Sequence, residues 1–418
     1  MKFFEKITLK FKCFVFISIV LFSSNIFTCD LSYQVESARI AGMGQAFTAL
    51  SDDLSAIWVN PAGISRVRKN RSRKFVNWFS SPNIFMSANQ NGQTFYNAFQ
   101  KNRTKVKEGE NLISKSLSEL GEIDQERICF SIAANPVVYF DYPRGSPWAF
   151  GAFSSLRTEL TASTGDTHSL IQSVSDTGIV LGKAWTGQNN RLTLGFQWRF
   201  FWRYDYYDSV DNALISSRQV MSKLIKDKGN KGVVTAIDIG GLWTVADYWF
   251  PTFAFSLRNL PLACQSNYLG TDSEERVKAC GVSLRGTIKN EQSIYILDPM
   301  EIRYGFSLTP RLSRKFAFRI AIDMHKGYIK SGTTYYGVPL RNPAEQFHAG
   351  VEAFLENPLT RSPFAVRGGY NGVGLTGGFT LRASRAVIDF ATYEQKVAGI
   401  RSSGTENSYL LGFSLEVK

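Results

Sequence analysis

Along much of the chain, apolar and polar residues alternate one for one, a period that places one residue set on each face of a β-strand. In the run from Leu192 to Arg203, Leu192, Leu194, Phe196, Trp198, Phe200 and Trp202 share one face, while Thr193, Gly195, Gln197, Arg199 and Arg203 share the other. From Phe316 to His325 the apolar Phe316, Phe318, Ile320, Ile322 and Met324 oppose Ala317, Arg319, Ala321, Asp323 and His325. At the C-terminal end, Tyr409, Leu411, Phe413, Leu415 and Val417 stand against Gly412, Ser414, Glu416 and Lys418. Strands of soluble sandwiches run about 5 to 6 residues. These run to about 10, apolar on one face and polar on the other, with aromatic residues near their ends, which is the pattern of a transmembrane barrel with lipid outside and a polar lumen inside. Closure also satisfies every backbone hydrogen bond within hydrocarbon.

The alternation predicts fourteen antiparallel strands, at residues 74–88, 128–139, 147–158, 177–186, 191–204, 233–247, 249–259, 301–309, 315–325, 346–356, 363–370, 373–383, 385–394 and 407–418. Pro82 removes a ladder donor from the first and is placed to split it. The odd-numbered connections run to roughly 40, 18, 28, 40, 20, 2 and 12 residues and the even-numbered ones to roughly 7, 4, 1, 5, 6 and 1. Long outer loops (about 89–127, 159–176, 205–232, 260–300 and 326–345) and short turns are thus separated to opposite ends, with both chain termini on the periplasmic side. Two of the long connections carry helical spacing, Glu110 to Ile123 and Asn212 to Ile225.

Composition agrees. Of 418 residues, 44% are hydrophobic and 14% aromatic. The mean hydropathy is nonetheless only −0.13, so the apolar residues are interleaved rather than blocked. Lys2, Lys6, Lys10 and Lys12 precede the apolar run Cys13 to Phe22, followed by small and polar residues, the layout of a secretory signal within residues 1–29. That apolar core is too short to span a bilayer as a helix, and no later stretch approaches 18 apolar residues, which excludes a helical membrane protein. Cys29 follows Phe27 and Thr28, a poor match to the small residues of a lipoprotein signal. The formal net charge of +13 is scattered, with no Lys/Arg stripe, so no nucleic-acid partner is expected.

Chemistry is sparse. Gly372 to Gly377 reads G-x-G-x-x-G but lies in a hairpin rather than at a helix N-terminus. His168, His325 and His348 are far apart, no metal-ligand spacing or nucleophile elbow occurs, and no enzyme activity, catalytic residue, metal or cofactor is expected. Cys264 and Cys280 flank a polar segment and are the candidates for a disulfide clipping one loop. By phase, Arg199, Arg203, Arg319, Asp323, Glu352, Arg367, Arg382, Asp389 and Glu416 point inward. Most are expected to pair across the lumen. Arg199, Arg203, Arg319, Arg367 and Arg382 are also the candidates to hold a ligand carboxylate.

Ahead of the strands lies the small-residue segment Gly42 to Ile64, GMGQAFTALSDDLSAIWVNPAGI. It resembles the N-terminal hatch of the FadL family of outer-membrane transporters for long-chain fatty acids and other hydrophobic molecules, whose pattern is matched by Gly42, Gly44, Ala46, Phe47, Asp52, Asp53, Asn60, Pro61 and Ala62. The C-terminal strands look like those of PorV-type members of the same superfamily. The resemblance implies an all-β, 14-stranded barrel at residues 73–418 with a hatch at residues 30–72 inside the lumen, and a gating role for Gly42, Gly44, Asp52, Asp53, Asn60, Pro61 and Ala62. It further implies a monomer in outer-membrane lipid that passively imports a long-chain fatty acid or similar hydrophobic nutrient. The alternative is a PorV-like scaffold of a secretion or surface-attachment complex. The chain departs from the common barrel ending in closing on Val417 and Lys418 rather than an aromatic residue.

Overall fold

The computed structural model describes residues 37–67, 76–89, 98, 100–102, 126–140, 146–162, 168–187, 191–211, 227–260, 285–287, 300–310, 313, 316–328, 346–355, 363–398 and 403–417. The strands are β1 Val76–Asn89, β2 Glu126–Ala134, β3 Val137–Phe140, β4 Trp148–Ala162, β5 His168–Thr186, β6 Leu192–Asp211, β7 Asn230–Thr244 and β8 Thr252–Leu260. They continue with β9 Arg285–Thr287, β10 Met300–Leu308, β11 Phe316–Tyr328, β12 Phe347–Leu355, β13 Phe364–Tyr370, β14 Leu375–Ala383, β15 Ala386–Ala398 and β16 Ser403–Val417. Neighbouring wall strands pair antiparallel in chain order, and β16 returns to pair with β1, so the sheet closes. β2 and β3 are two halves of one wall strand, both paired to β1 and β4, and β9 is a three-residue patch on β7. The wall therefore has fourteen strands, as the alternation predicts.

Two local departures trace to proline. The predicted strand 128–139 breaks at Asn135 and Pro136, where the ring leaves no N–H to donate; the Pro136 carbonyl still accepts from Ala152 at 3.1 Å. Pro82 does not split β1, but the β1–β16 register shifts between Ser80 and Asn83, which is a bulge.

The outer face is the apolar one. On β6, Trp198 and Trp202 are 41% and 55% exposed, whereas Gln197, Arg199 and Arg203 are 1 to 2% exposed. Such a band of large apolar side chains belongs in lipid, and the protein is a multi-pass barrel of the outer-membrane kind. The loop expected at 159–176 is corrected. β4 runs through Ala162 and β5 starts at His168, and the two pair over 15 positions. Outward Ser173, Ser175 and Thr177 are polar, so the alternation that marks lipid-facing strands is missing there. The loop drawn at 205–232 is likewise shorter, since β6 continues to Asp211 and β7 begins at Asn230. Cys264, Cys280, the signal region and the two helical patterns (110–123 and 212–225) lie outside the described residues.

Candidate functional site

Residues 37–67 lie inside the barrel, nearly all of them buried. The segment starts with helix α1, Ala38–Gly42, capped by the Ser37 hydroxyl, which accepts from Ile40 N at 3.2 Å. Helix α2, Ala56–Val59, and a 3₁₀ turn, Pro61–Ser65, complete it. Both are too short to stand alone, so packing against the wall holds them.

Asn60 is the pivot of the second half. Its side-chain oxygen accepts from Ala62 N at 3.1 Å and caps the 3₁₀ turn, with Pro61 at the first helical position where no N–H is needed. Its amide nitrogen is shared among three carbonyls: Thr48 within the plug, at 3.0 Å, and Gly241 and Phe255 of the wall, at 3.4 and 3.3 Å. Ser256 donates to the Val59 carbonyl at 3.0 Å nearby.

The double aspartate serves the first half. Arg39 donates to Asp52 at 2.8 Å and to Asp53 at 2.7 Å, and on its other edge to both oxygens of Glu352 on β12, at 2.8 and 2.7 Å. Asp53 also accepts from Ser55 N at 2.7 Å, fixing the turn that leads into α2. Burial alone would lower the Arg39 pKa; Glu352, Asp52 and Asp53 outweigh it and hold the guanidinium well above its ordinary value, so Arg39 stays charged.

All five arginines proposed to hold a ligand carboxylate are already in ion pairs. Arg319 binds Glu352 at 2.7 Å and Asp52 at 2.9 Å, and Arg367 binds Glu352 at 3.2 Å and Asp389 at 3.3 Å. Arg199 binds Asp238 at 3.0 Å, Arg203 binds Asp176 at 2.6 Å, and Arg382 binds Glu416 at 2.6 Å. This pairing keeps any one buried charge from standing alone.

Three features of the lumen have only weak sequence signals. The first is a set of wall glycines that seat the plug. A Cβ on Gly195 would overlap the Pro61–Ala62 peptide, one on Gly240 the Asn60 side chain, and one on Gly350 the Met43 backbone. Gly44 answers from the plug side: its φ of +62° favours glycine, and a Cβ there would overlap the Tyr370 and Ala349 carbonyls. Gly42 is tight against β14, where a Cβ would stand 3.2 Å from the Gly377 carbonyl. Inward phase was the available signal for the wall glycines, but phase does not say what they face.

The second is a buried histidine pair. His325 on β11 and His348 on β12, 23 positions apart in sequence, stack with ring centroids 3.9 Å apart. The Nδ1 of His348 is 2.9 Å from the Gly44 carbonyl, which requires that nitrogen to carry the proton. Beside them, Asp323 accepts from the backbone N–H groups of Phe47 and Thr48 at 2.9 and 2.8 Å. Neighbouring strands bring together what the sequence keeps apart.

The third corrects the expectation of a polar inner face. Where β3 to β7 meet the second half of the plug the lining is apolar: Val137, Tyr139, Phe153, Val180, Phe201 and Val234 form one buried cluster with the plug residues Leu54, Ile57, Trp58, Ile64 and Val67, while the buried pairs Arg203–Asp176 and Arg199–Asp238 lie on the same strands. Trp58, Phe153 and Phe201 make successive edge-to-face contacts at 5.5 Å. The charged groups that meet α1 and the following turn come from β11, β12, β13 and β15, on another part of the wall.

A search of solved structures finds the toluene transporter TbuX of Ralstonia pickettii, a FadL-type barrel, at a TM-score of 0.51, with 12% identity over 92% of this chain and 98% of that one. The fold is that of TbuX. The toluene transporter TodX of P. putida also matches, at a TM-score of 0.40 and 9% identity over 87% of this chain and 94% of that one. No protein-family model matches the chain, and no curated protein matches it in sequence.

Proposed function

We propose that the protein is a passive outer-membrane importer of hydrophobic molecules, long-chain fatty acids among them, with residues 37–67 as a hatch whose movement opens the path. The supporting observation is the apolar sector of the lumen, in which β3 to β7 face the Trp58 and Ile64 side of the plug. An apolar solute crossing a water-filled pore recovers none of the ~0.8 kcal/mol that each buried methylene is worth, whereas a path along this sector lets it stay out of water. TbuX, with the same fold, is a transporter of toluene. Import through this sector makes no use of the five paired arginines as carboxylate ligands.

Gly42, Gly44, Asp52, Asp53, Asn60, Pro61 and Ala62 would act in gating by holding the hatch to two chemically different parts of the wall. The scaffold reading has one observation in its favour, the density with which the plug fills the lumen around the wall glycines. Proteoliposomes offered labelled oleate and labelled toluene in parallel separate the two. Saturable, protein-dependent uptake of either is expected; uptake no greater than in protein-free liposomes for both would leave the scaffold reading standing.

A further inference from the structure

On the outer surface of the wall, at the end carrying the short turns, one basic side chain sits among aromatic ones. Lys183 on β5 is the cross-strand partner of Trp148 on β4 and lies two residues from Trp185 on the same face. Its ammonium stands 4.4 Å from the Trp148 ring centre and 5.2 Å from that of Trp185. Both rings are themselves open to the surroundings, at 38% and 46% exposure. No described carboxylate pairs with Lys183.

The surroundings state what this charge meets. Phe196 is the partner of Lys183 on β6, Leu181 is the next outward residue along β5, and Phe150 pairs with Leu181. All three are exposed and apolar, continuous with the band that faces hydrocarbon. An ammonium held between two indoles gains cation–π attraction but keeps N–H donors that the rings do not satisfy. At the edge of the apolar band the acceptors within reach are those of lipid headgroups, and the exposed indoles add further N–H donors at the same level.

We infer that Trp148, Lys183 and Trp185 form a binding site for the phosphate of an anionic glycerophospholipid, whose acyl chains lie along Leu181, Phe150 and Phe196. The short-turn end is the end of both chain termini, hence the periplasmic leaflet, where glycerophospholipids rather than lipopolysaccharide reside. The inference goes beyond the proposed import and does not rest on it.

Native mass spectrometry of the purified barrel with equimolar phosphatidylglycerol and phosphatidylcholine tests it. The wild type is expected to retain phosphatidylglycerol about fivefold over phosphatidylcholine, the equivalent of the ~1 kcal/mol that one interfacial lysine contributes toward anionic lipid. Lys183→Arg should keep the preference, Lys183→Gln should bring it to parity, and Lys231→Gln, at the opposite end of the wall, should leave it unchanged. Heat-modifiable gel mobility checks that each variant is folded. If Lys183→Gln does not fold, Trp185→Leu, which removes one side of the clamp and keeps the charge, should lower the preference. A wild type without preference, or a folded Lys183→Gln or Trp185→Leu that keeps it in full, overturns the site.

Discussion

Arg39 and Glu352, 313 positions apart in the chain, meet edge to edge through contacts of 2.8 and 2.7 Å that join the plug to the wall. Glu352 accepts from Arg319 and Arg367 as well, so one carboxylate balances three guanidinium groups. Glu352→Gln removes that balance where water cannot replace it. A loss on the order of 3 kcal/mol is expected for the seating of the plug, the scale for breaking a buried ion pair on one side. Hydrogen exchange at the α1 amides reads it directly. Arg39→Met combined with Glu352→Leu should cost less than the sum of the two single changes, and strict additivity would argue against direct coupling.

Asn60 allows a finer test. Asn60→Ala removes both the cap on Ala62 and the donor to Thr48, Gly241 and Phe255, and should loosen residues 56–63 by about 1–3 kcal/mol. Asn60→Asp keeps the cap acceptor but turns a charge toward those carbonyls. It is expected to be worse than Ala, and local exchange rates ranking the two the other way would count against the geometry.

Gly195→Val changes no lipid-facing residue, yet its Cβ overlaps the Pro61–Ala62 peptide. The barrel should insert with a displaced plug and conduct ions in planar bilayers. A Cβ on Gly368 would have its nearest neighbour 3.7 Å away, an ordinary contact, so Gly368→Ala should stay as closed as wild type.

Phe201 is fully buried in the apolar sector, edge-on to Phe153. Phe201→Asn places an amide there without a partner, at a cost of about 1–3 kcal/mol. Oleate uptake is expected to fall severalfold while the barrel remains closed to ions. Unchanged uptake in a folded variant would move the path away from β3 to β7.

Much of this molecule was legible in sequence because lipid is a strict reader of one face. Trp198 and Trp202 must be apolar and Arg199 and Arg203 are free to be charged, so strand phase survives on β6 without any alignment. Where the wall rises beyond the bilayer that contrast ends, and the first half of β5, with Ser173, Ser175 and Thr177 facing out, reads as loop. Inward charge was visible by phase, but its partners were not: nothing local in the sequence ties Arg39 to Glu352 or places His325 on His348. The glycine seats were unreadable for a related reason. Gly195 and Gly350 can be put on the inner face, while what presses against them is set by a segment more than a hundred residues away.

The seats and the Arg39–Glu352 contact also constrain the order of assembly. The plug precedes every described strand, yet its partners lie as late as β12 to β15, so its charged end has nowhere to dock until most of the wall exists. Contacts of such sequence separation form slowly, because the loop between them must be closed first. The seam between β1 and β16 involves the last strand of all. The plug residues are thus among the last to find their place, and the exported protein must travel with Arg39, Asp52 and Asp53 still in water until the cylinder is ready to receive them.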